Sequence, residues 1–152
     1  MSTVVIISDS HGLIRPEIEP VLKTTDHVIH AGDVGSDEIL QRFLDLNDRI
    51  VFVRGNVDRD ERVNQLPESV TLEIGGYRIH MVHNINELLL ERDPPDFVVY
   101  GHSHMPAEEM KGETRYVNPG SIGPRRFSIP ISYASLDLDG DPVSLQFHTI
   151  DP

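Results

Sequence analysis

Three times in the first 56 residues, a short run rich in β-branched residues closes on glycine and a polar side chain. No other feature limits the fold as much. Thr3–Ser8 reads as a strand ending in Asp9-Ser10-His11-Gly12. His27–His30 reads as a second, ending in Ala31-Gly32-Asp33, and Arg49–Val53 as a third, ending in Arg54-Gly55-Asn56. Between them, Pro16 opens a short helix through Lys23. A second helix spans Ser36 to Leu46, with Ser36 as N-cap and Ile39, Leu40, Phe43, Leu44 and Leu46 at helical spacing. Strand, turn and helix in repetition favour parallel pairing with right-handed crossovers.

The second half reads differently. Ser69–Ile74 and Tyr77–Val82 flank Gly75-Gly76, a two-residue hairpin signal. A short helix runs from Asn86 to Arg92 and is stopped by Pro94-Pro95. Strands follow at Asp96–Tyr100, Thr114–Val117, Ile131–Asp137 and Pro142–Ile150, the last two joined at Asp139-Gly140. With no repeat or linker in view, the expectation is a single α/β domain over residues 1–152. Its second half would be antiparallel, with two sheets packed face to face and helices outside.

Composition removes several classes of function. The chain has no cysteine, so thiolate metal sites, disulfides and a cysteine nucleophile are excluded. No apolar run approaches the roughly 18 residues of a membrane span, and the N-terminus lacks a basic leader segment. The expectation is a cytoplasmic protein with no membrane partner. A net charge of −12, from 25 acids against 13 bases, repels phosphate polymers, and no basic stripe with interleaved aromatics offsets it. A nucleic-acid polymer is therefore disfavoured as partner, a small anionic substrate needs a local positive centre, and a homo-oligomer stays open.

The strand ends supply the means for such a centre. Asp9 and His11, then Asp33, Asn56 and His83, then His102 and His104 stand at the carboxyl ends of five strands, where open α/β sheets place their ligands. Each has an ordinary reading alone, as cap, turn residue or buried histidine; five in succession point to a site. Seven donors exceed one transition metal and suit two divalent ions sharing a carboxylate. Imidazole, carboxylate and amide without thiolate suit manganese, iron, zinc or nickel. In Gly101-His102-Ser103-His104, two imidazoles at i and i+2 of an extended segment project to one side. They could hold one ion or one each of two neighbours.

The series Asp-Ser-His, Gly-Asp, Gly-Asn, His, Gly-His-Ser-His resembles the calcineurin-like metallophosphoesterase superfamily, in that superfamily's order. Asn118-Pro119-Gly120-Ser121 and the short length resemble its small phosphodiesterase branch. The resemblance implies a four-layer α/β/β/α sandwich, two mixed β-sheets flanked by helices, with a binuclear centre at the strand ends. One metal would take Asp9, His11, Asp33 and His104. The other would take Asp33, Asn56, His83 and His102, with Asp33 as bridge and His102 and His104 on different ions. Asp33, Asn56 and His102 would bear most directly on catalysis. Manganese is expected first, with iron, zinc, nickel or magnesium as alternatives.

The implied activity is hydrolysis of a small phosphate ester, a diester first, by attack of a metal-bridging hydroxide. The alternatives are a phosphomonoesterase and a non-catalytic metal-binding scaffold like the retromer subunit of this fold. Two positions depart from the superfamily pattern. Val57 stands where relatives carry a histidine after Gly-Asn, and Asn84-Ile85 follow His83 where many read Gly-His. Arg125, in the loop after Asn118-Pro119-Gly120-Ser121, is the candidate contact for a phosphate oxygen.

Overall fold

A computed structural model describes residues 2–88 and 93–151. Two five-stranded sheets face one another. The first has the order β10-β9-β1-β2-β3 and the second β4-β5-β6-β8-β7. The strands are β1 Thr3–Ile7, β2 His27–His30, β3 Ile50–Phe52, β4 Ser69–Ile74, β5 Tyr77–Val82, β6 Phe97–Val99, β7 Ala107–Lys111, β8 Thr114–Asn118, β9 Ile131–Asp137 and β10 Ser144–Ile150. The α-helices among the described residues are α1 Glu19–Thr24, α2 Asp37–Leu46 and α3 Glu61–Asn64.

The repeated construction folds as the sequence predicts. β1, β2 and β3 pair in parallel, with α1 and α2 in the crossovers. Ser36 caps α2 by accepting from the Ile39 N–H at 3.2 Å. The helix then buries Ile39, Leu40 and Phe43 against Val5, Ile7, Val28, Ile50 and Phe52. Because side chains alternate along a strand, Val4, Ile6 and Ile29 point the other way. There they meet Ile79, Met81, Phe97, Val99 and Val117 in the core between the sheets.

The second half is not antiparallel throughout. β5, β6 and β8 pair in parallel, with antiparallel β4 and β7 at the edges. The β9–β10 hairpin returns to the first sheet, where β9 runs antiparallel to β1. Both sheets are thus mixed. β7 carries no apolar alternation, since all five of its residues are exposed, and the sequence offers no strand signal there. Of the expected helix from Asn86 to Arg92, the described part is a 3-10 turn at Ile85–Glu87, and residues 89–92 lie outside the described residues. Among the described residues, no helix is long and apolar enough to cross a membrane.

Candidate metal centre

All seven candidate donors gather at the carboxyl ends of the strands, and both sheets contribute. Asp9 and His11 follow β1, Asp33 follows β2 and Asn56 follows β3. His83 follows β5, and His102 and His104 follow β6. Their donor atoms fall into two groups, Asp9 with His11 and His104, and Asp33 with His83 and His102. Asn56 joins the second: its Oδ1 lies 3.0 Å from His83 Nε2 and 3.3 Å from His102 Nδ1. Asp33 Oδ2 faces both, 3.1 Å from His83 Nε2 and 3.6 Å from His11 Nε2.

The histidine pair is not extended, as pleating alone would require. His102 and His104 take φ of +75° and +65°, and Asp9, His11 and Asp33 take +57°, +47° and +58°. Five of the seven donors therefore sit in the left-handed region, where Asp, Asn and His are enriched among non-glycine residues. Asp9-Ser10-His11 and His102-Ser103-His104 bend alike, left-handed at first and third positions. That bend, rather than the pleat, turns the chain back, so that Asp9 and His11 meet in one group while His102 and His104 enter different ones.

The motif glycines have a steric reason. A Cβ at Gly55 would collide with Asp33 Oδ1 and N, and one at Gly101 with Ser8 Oγ and Asp9 Oδ2. Backbone and carboxylate approach too closely for any side chain.

The supporting bonds leave one set of lone pairs free. Asp9 Oδ2 accepts from the Ser8 hydroxyl at 2.6 Å and the His102 N–H at 3.1 Å. Asp9 Oδ1 is buried without a hydrogen-bond partner and faces Nε2 of His104, His11 and His83 at 3.5, 3.8 and 3.9 Å. His83 donates from Nδ1 to Ala31 O at 2.7 Å, so in the neutral ring Nε2 presents a lone pair to the oxygens of Asp33 and Asn56. A buried carboxylate oxygen left without a partner and faced by imidazole nitrogens suits a bound cation.

Spacing agrees. His11 Nε2 and His104 Nε2 are 3.2 Å apart, and two imidazole nitrogens each about 2.1 Å from one ion at near-tetrahedral or right angles stand roughly 3.0–3.4 Å apart. The residues fit a divalent metal.

Protonation shows the same demand for positive charge. Burial pushes the Asp9 carboxyl upward against the pull of His83 and Ser8. At Asp33 burial is outweighed by the bond and charge of His83 and the Val57 N–H, so that carboxyl is held down. His83 is raised: burial opposes its charged form, but Asp33 and Asp9 favour it more. Burial lowers His104 to about 4 and lowers His11 as well, and the Arg126 guanidinium adds to both.

Several supporting residues carry little signal in the sequence. Asp58, 2% exposed, accepts from the N–H groups of Asp33 (3.1 Å), Gly35 (3.1 Å) and Gly55 (2.8 Å). Its return onto the glycine three residues earlier is the only local hint. Fully buried His30 accepts from the Gly32 N–H at 3.1 Å and donates to Ser10 Oγ at 2.9 Å, and Ser10 donates to Val34 O.

Asn118 donates to Gly101 O and Ser103 Oγ, and Ser121 Oγ donates to Asp9 O, so the Asn118-Pro119-Gly120-Ser121 motif braces both bent tripeptides. Arg125 and Arg126 are both exposed, and the Arg126 charge adds to the lowering of His11 and His104. Arg54 pairs with Glu68 in the wall of a cavity of about 170 Å³ beside Asn56, His83 and His102, with Glu87 also in that wall.

Imidazole, carboxylate and amide oxygen, meeting at strand ends of two facing mixed sheets, form the donor set of a divalent-metal site. Residues 2–141 match the calcineurin-like phosphoesterase superfamily domain, and the chain belongs to that superfamily. "Probable metallophosphoesterase YsnB" of Bacillus subtilis is 32% identical over 159 residues, covering 95% of this chain and 89% of YsnB. Phosphodiesterase YfcE of Escherichia coli is 31% identical over 112 residues, 67% of this chain and 60% of YfcE. In fold, Vacuolar Protein Sorting 29 of Cryptosporidium parvum superposes with a TM-score of 0.75 at 19% identity, covering 99% of this chain and 98% of that one.

Proposed function

We propose that the protein is a metal-dependent phosphoesterase that holds two divalent ions, manganese foremost, and hydrolyses phosphodiesters. The observation that carries this reading is the convergence of Asp9 Oδ1, buried without a hydrogen-bond partner, with Asp33 Oδ2, Asn56 Oδ1 and the Nε2 atoms of His11, His83 and His104. Asp9, His11, Asp33 and His104 would hold one ion, and Asp33, Asn56, His83 and His102 the other. Two such ions supply Lewis acidity and lower the pKa of water toward neutrality.

The chain's own residues hold that chemistry in place. Ser8 and the His102 N–H orient Asp9, Ala31 O fixes the His83 tautomer, and the Val57 N–H fixes Asp33 Oδ1 at 3.0 Å. The charge of the cavity wall supports the diester reading. Glu68 neutralises Arg54 and leaves Glu87 as net negative charge, which penalises a monoester dianion more than a diester monoanion. Homologues named phosphodiesterase, YfcE and MJ0936, support the same class.

The test is metal analysis of the reconstituted protein, followed by a panel of phosphate mono- and diesters. About two ions per chain and turnover of diesters are expected. Trace metal with no turnover overturns the reading.

A further inference from the structure

An aromatic side chain stands in the open on the segment that packs against this centre, on a backbone that disfavours it. The segment after β8 begins firmly against the site. Ser121 Oγ donates to Asp9 O at 2.9 Å and the Ile122 N–H to Ser8 O at 3.2 Å. Arg15 donates to the carbonyls of Ile122 and Gly123 at 3.2 and 3.0 Å. The segment then turns tightly, the Ile129 N–H closing on Arg126 O at 3.0 Å. At the first corner of that turn Phe127 has φ +52° and is 93% exposed.

For a bulky residue that backbone is an outlier, and at that exposure burial does not hold it there. Strain of this kind gathers at ligand clamps. Gly123 lies so close to the first bent tripeptide that a Cβ there would collide with Asp9 O, and Arg126, three residues on, is within roughly 11 Å of Gly123 by chain reach. Two more exposed apolar side chains directly follow donors: Val57 after Asn56, and Met105 after His104. The remaining large ones among the described residues, Met110 and Phe147, lie on edge strands β7 and β10.

A guanidinium and exposed apolar side chains on the segments that flank the donors match an ester bearing a flat ring. Arginine pairs with phosphate oxygens, and an exposed phenyl face stacks on aromatic groups with little regard to their identity. We propose that Arg126 and Phe127 form a subsite for an aromatic group of the phosphate ester. Arg126 pairs with a phosphate oxygen, Phe127 stacks on the ring, and Val57 and Met105 complete the rim. This rests on the phosphoesterase reading of the metal centre.

Calorimetric titration of the manganese-loaded protein with methylphosphonate, phenylphosphonate and a nucleoside phosphonate separates the two claims without turnover. Methylphosphonate binding reports the phosphate site, and the phenyl-to-methyl ratio of Kd values reports the subsite. The wild type is expected to favour phenylphosphonate roughly tenfold, within the range of single-ring stacking. Phe127→Ala abolishes that preference without changing methylphosphonate affinity, Phe127→Tyr retains it, and Arg126→Gln weakens both ligands alike.

A nucleoside phosphonate that gains at least as much as the phenyl compound identifies the ring as a nucleobase, and gain by the phenyl compound alone identifies a simple aryl group. Equal Kd values for phenyl- and methylphosphonate, or a preference that survives Phe127→Ala, overturn the subsite while leaving the metal centre standing. Binding of no phosphonate overturns both.

Discussion

The backbone N–H of Asp33 donates to the carboxylate of Asp58 at 3.1 Å. A buried carboxylate outside both donor groups thus holds the turn that carries the carboxylate facing both of them. Asp58 also accepts from Gly55, next to Asn56, so it ties the ends of β2 and β3 together.

Asp58→Asn therefore turns an amide N–H₂ toward backbone donors. A fold stability lower by about 2–3 kcal/mol is expected, the scale of a charged hydrogen bond lost with its donor left unpaired. Metal affinity should fall by roughly 10- to 100-fold, as for other residues that orient ligands. Urea unfolding of the metal-free protein and competition with a chelating dye measure the two. Unchanged metal affinity would make Asp58 a structural residue only.

Asp33→Asn should be the most damaging single change among the donors, because Oδ2 faces His83 and His11 at once. A loss of turnover exceeding about 100-fold is expected. His102→Ala and His104→Ala should each remove a different ion, since their donor atoms lie in different groups. Anomalous scattering from crystals of the two variants identifies the ion lost. If the same ion disappears from both, the assignment of the pair is wrong.

His30 gives a pH dependence of definite sign. Burial first, with the nearby charge of His83, lowers it from 6.5 to about 3, so the native state keeps it neutral while the unfolded chain protonates below 6.5. The unfolded state binds more protons across that window, and stability must fall as pH drops through it. Between pH 7.5 and 5.5 the loss from this residue is about 1.4 kcal/mol. Urea unfolding in chelator should show His30→Gln losing that much less than wild type over the interval. Identical slopes would refute the neutral, fully buried imidazole.

Val57, 38% exposed, bonds Asp33 through its backbone, so Val57→His keeps that contact and adds a proton donor at the mouth. Esters with poor leaving groups should gain most, toward the 10²- to 10⁴-fold typical of a well-placed general acid. A leaving-group series at equal metal loading tests it. A shallow dependence in the wild type, unchanged in the variant, means another group already donates the proton.

The donors were legible because each closes an apolar run whose length and punctuation reveal a strand end. Ser36 and the Gly75-Gly76 hairpin were legible by the same local logic. What escaped depended on contacts distant in sequence. β7, Ala107–Lys111, is an exposed edge held by β8 across a Gly112 turn, so it has no buried face to impose a pattern. The parallel pairing of β5, β6 and β8 follows from which edges remain free after the hairpins close. No single segment records that. Asp58 and His30 look like any turn aspartate and any strand histidine until the neighbouring turns are folded against them.

The left-handed backbone at Asp9, His11, Asp33, His102 and His104 has a consequence for engineering. At each of these positions glycine would relax the chain, and asparagine is also at home there. A library screened for heat resistance alone will be drawn to those five codons. Each gain in melting temperature found there will erase a metal donor, the usual stability–activity conflict concentrated in single residues. Hardening this protein for use requires freezing those codons and seeking stability elsewhere in the sandwich.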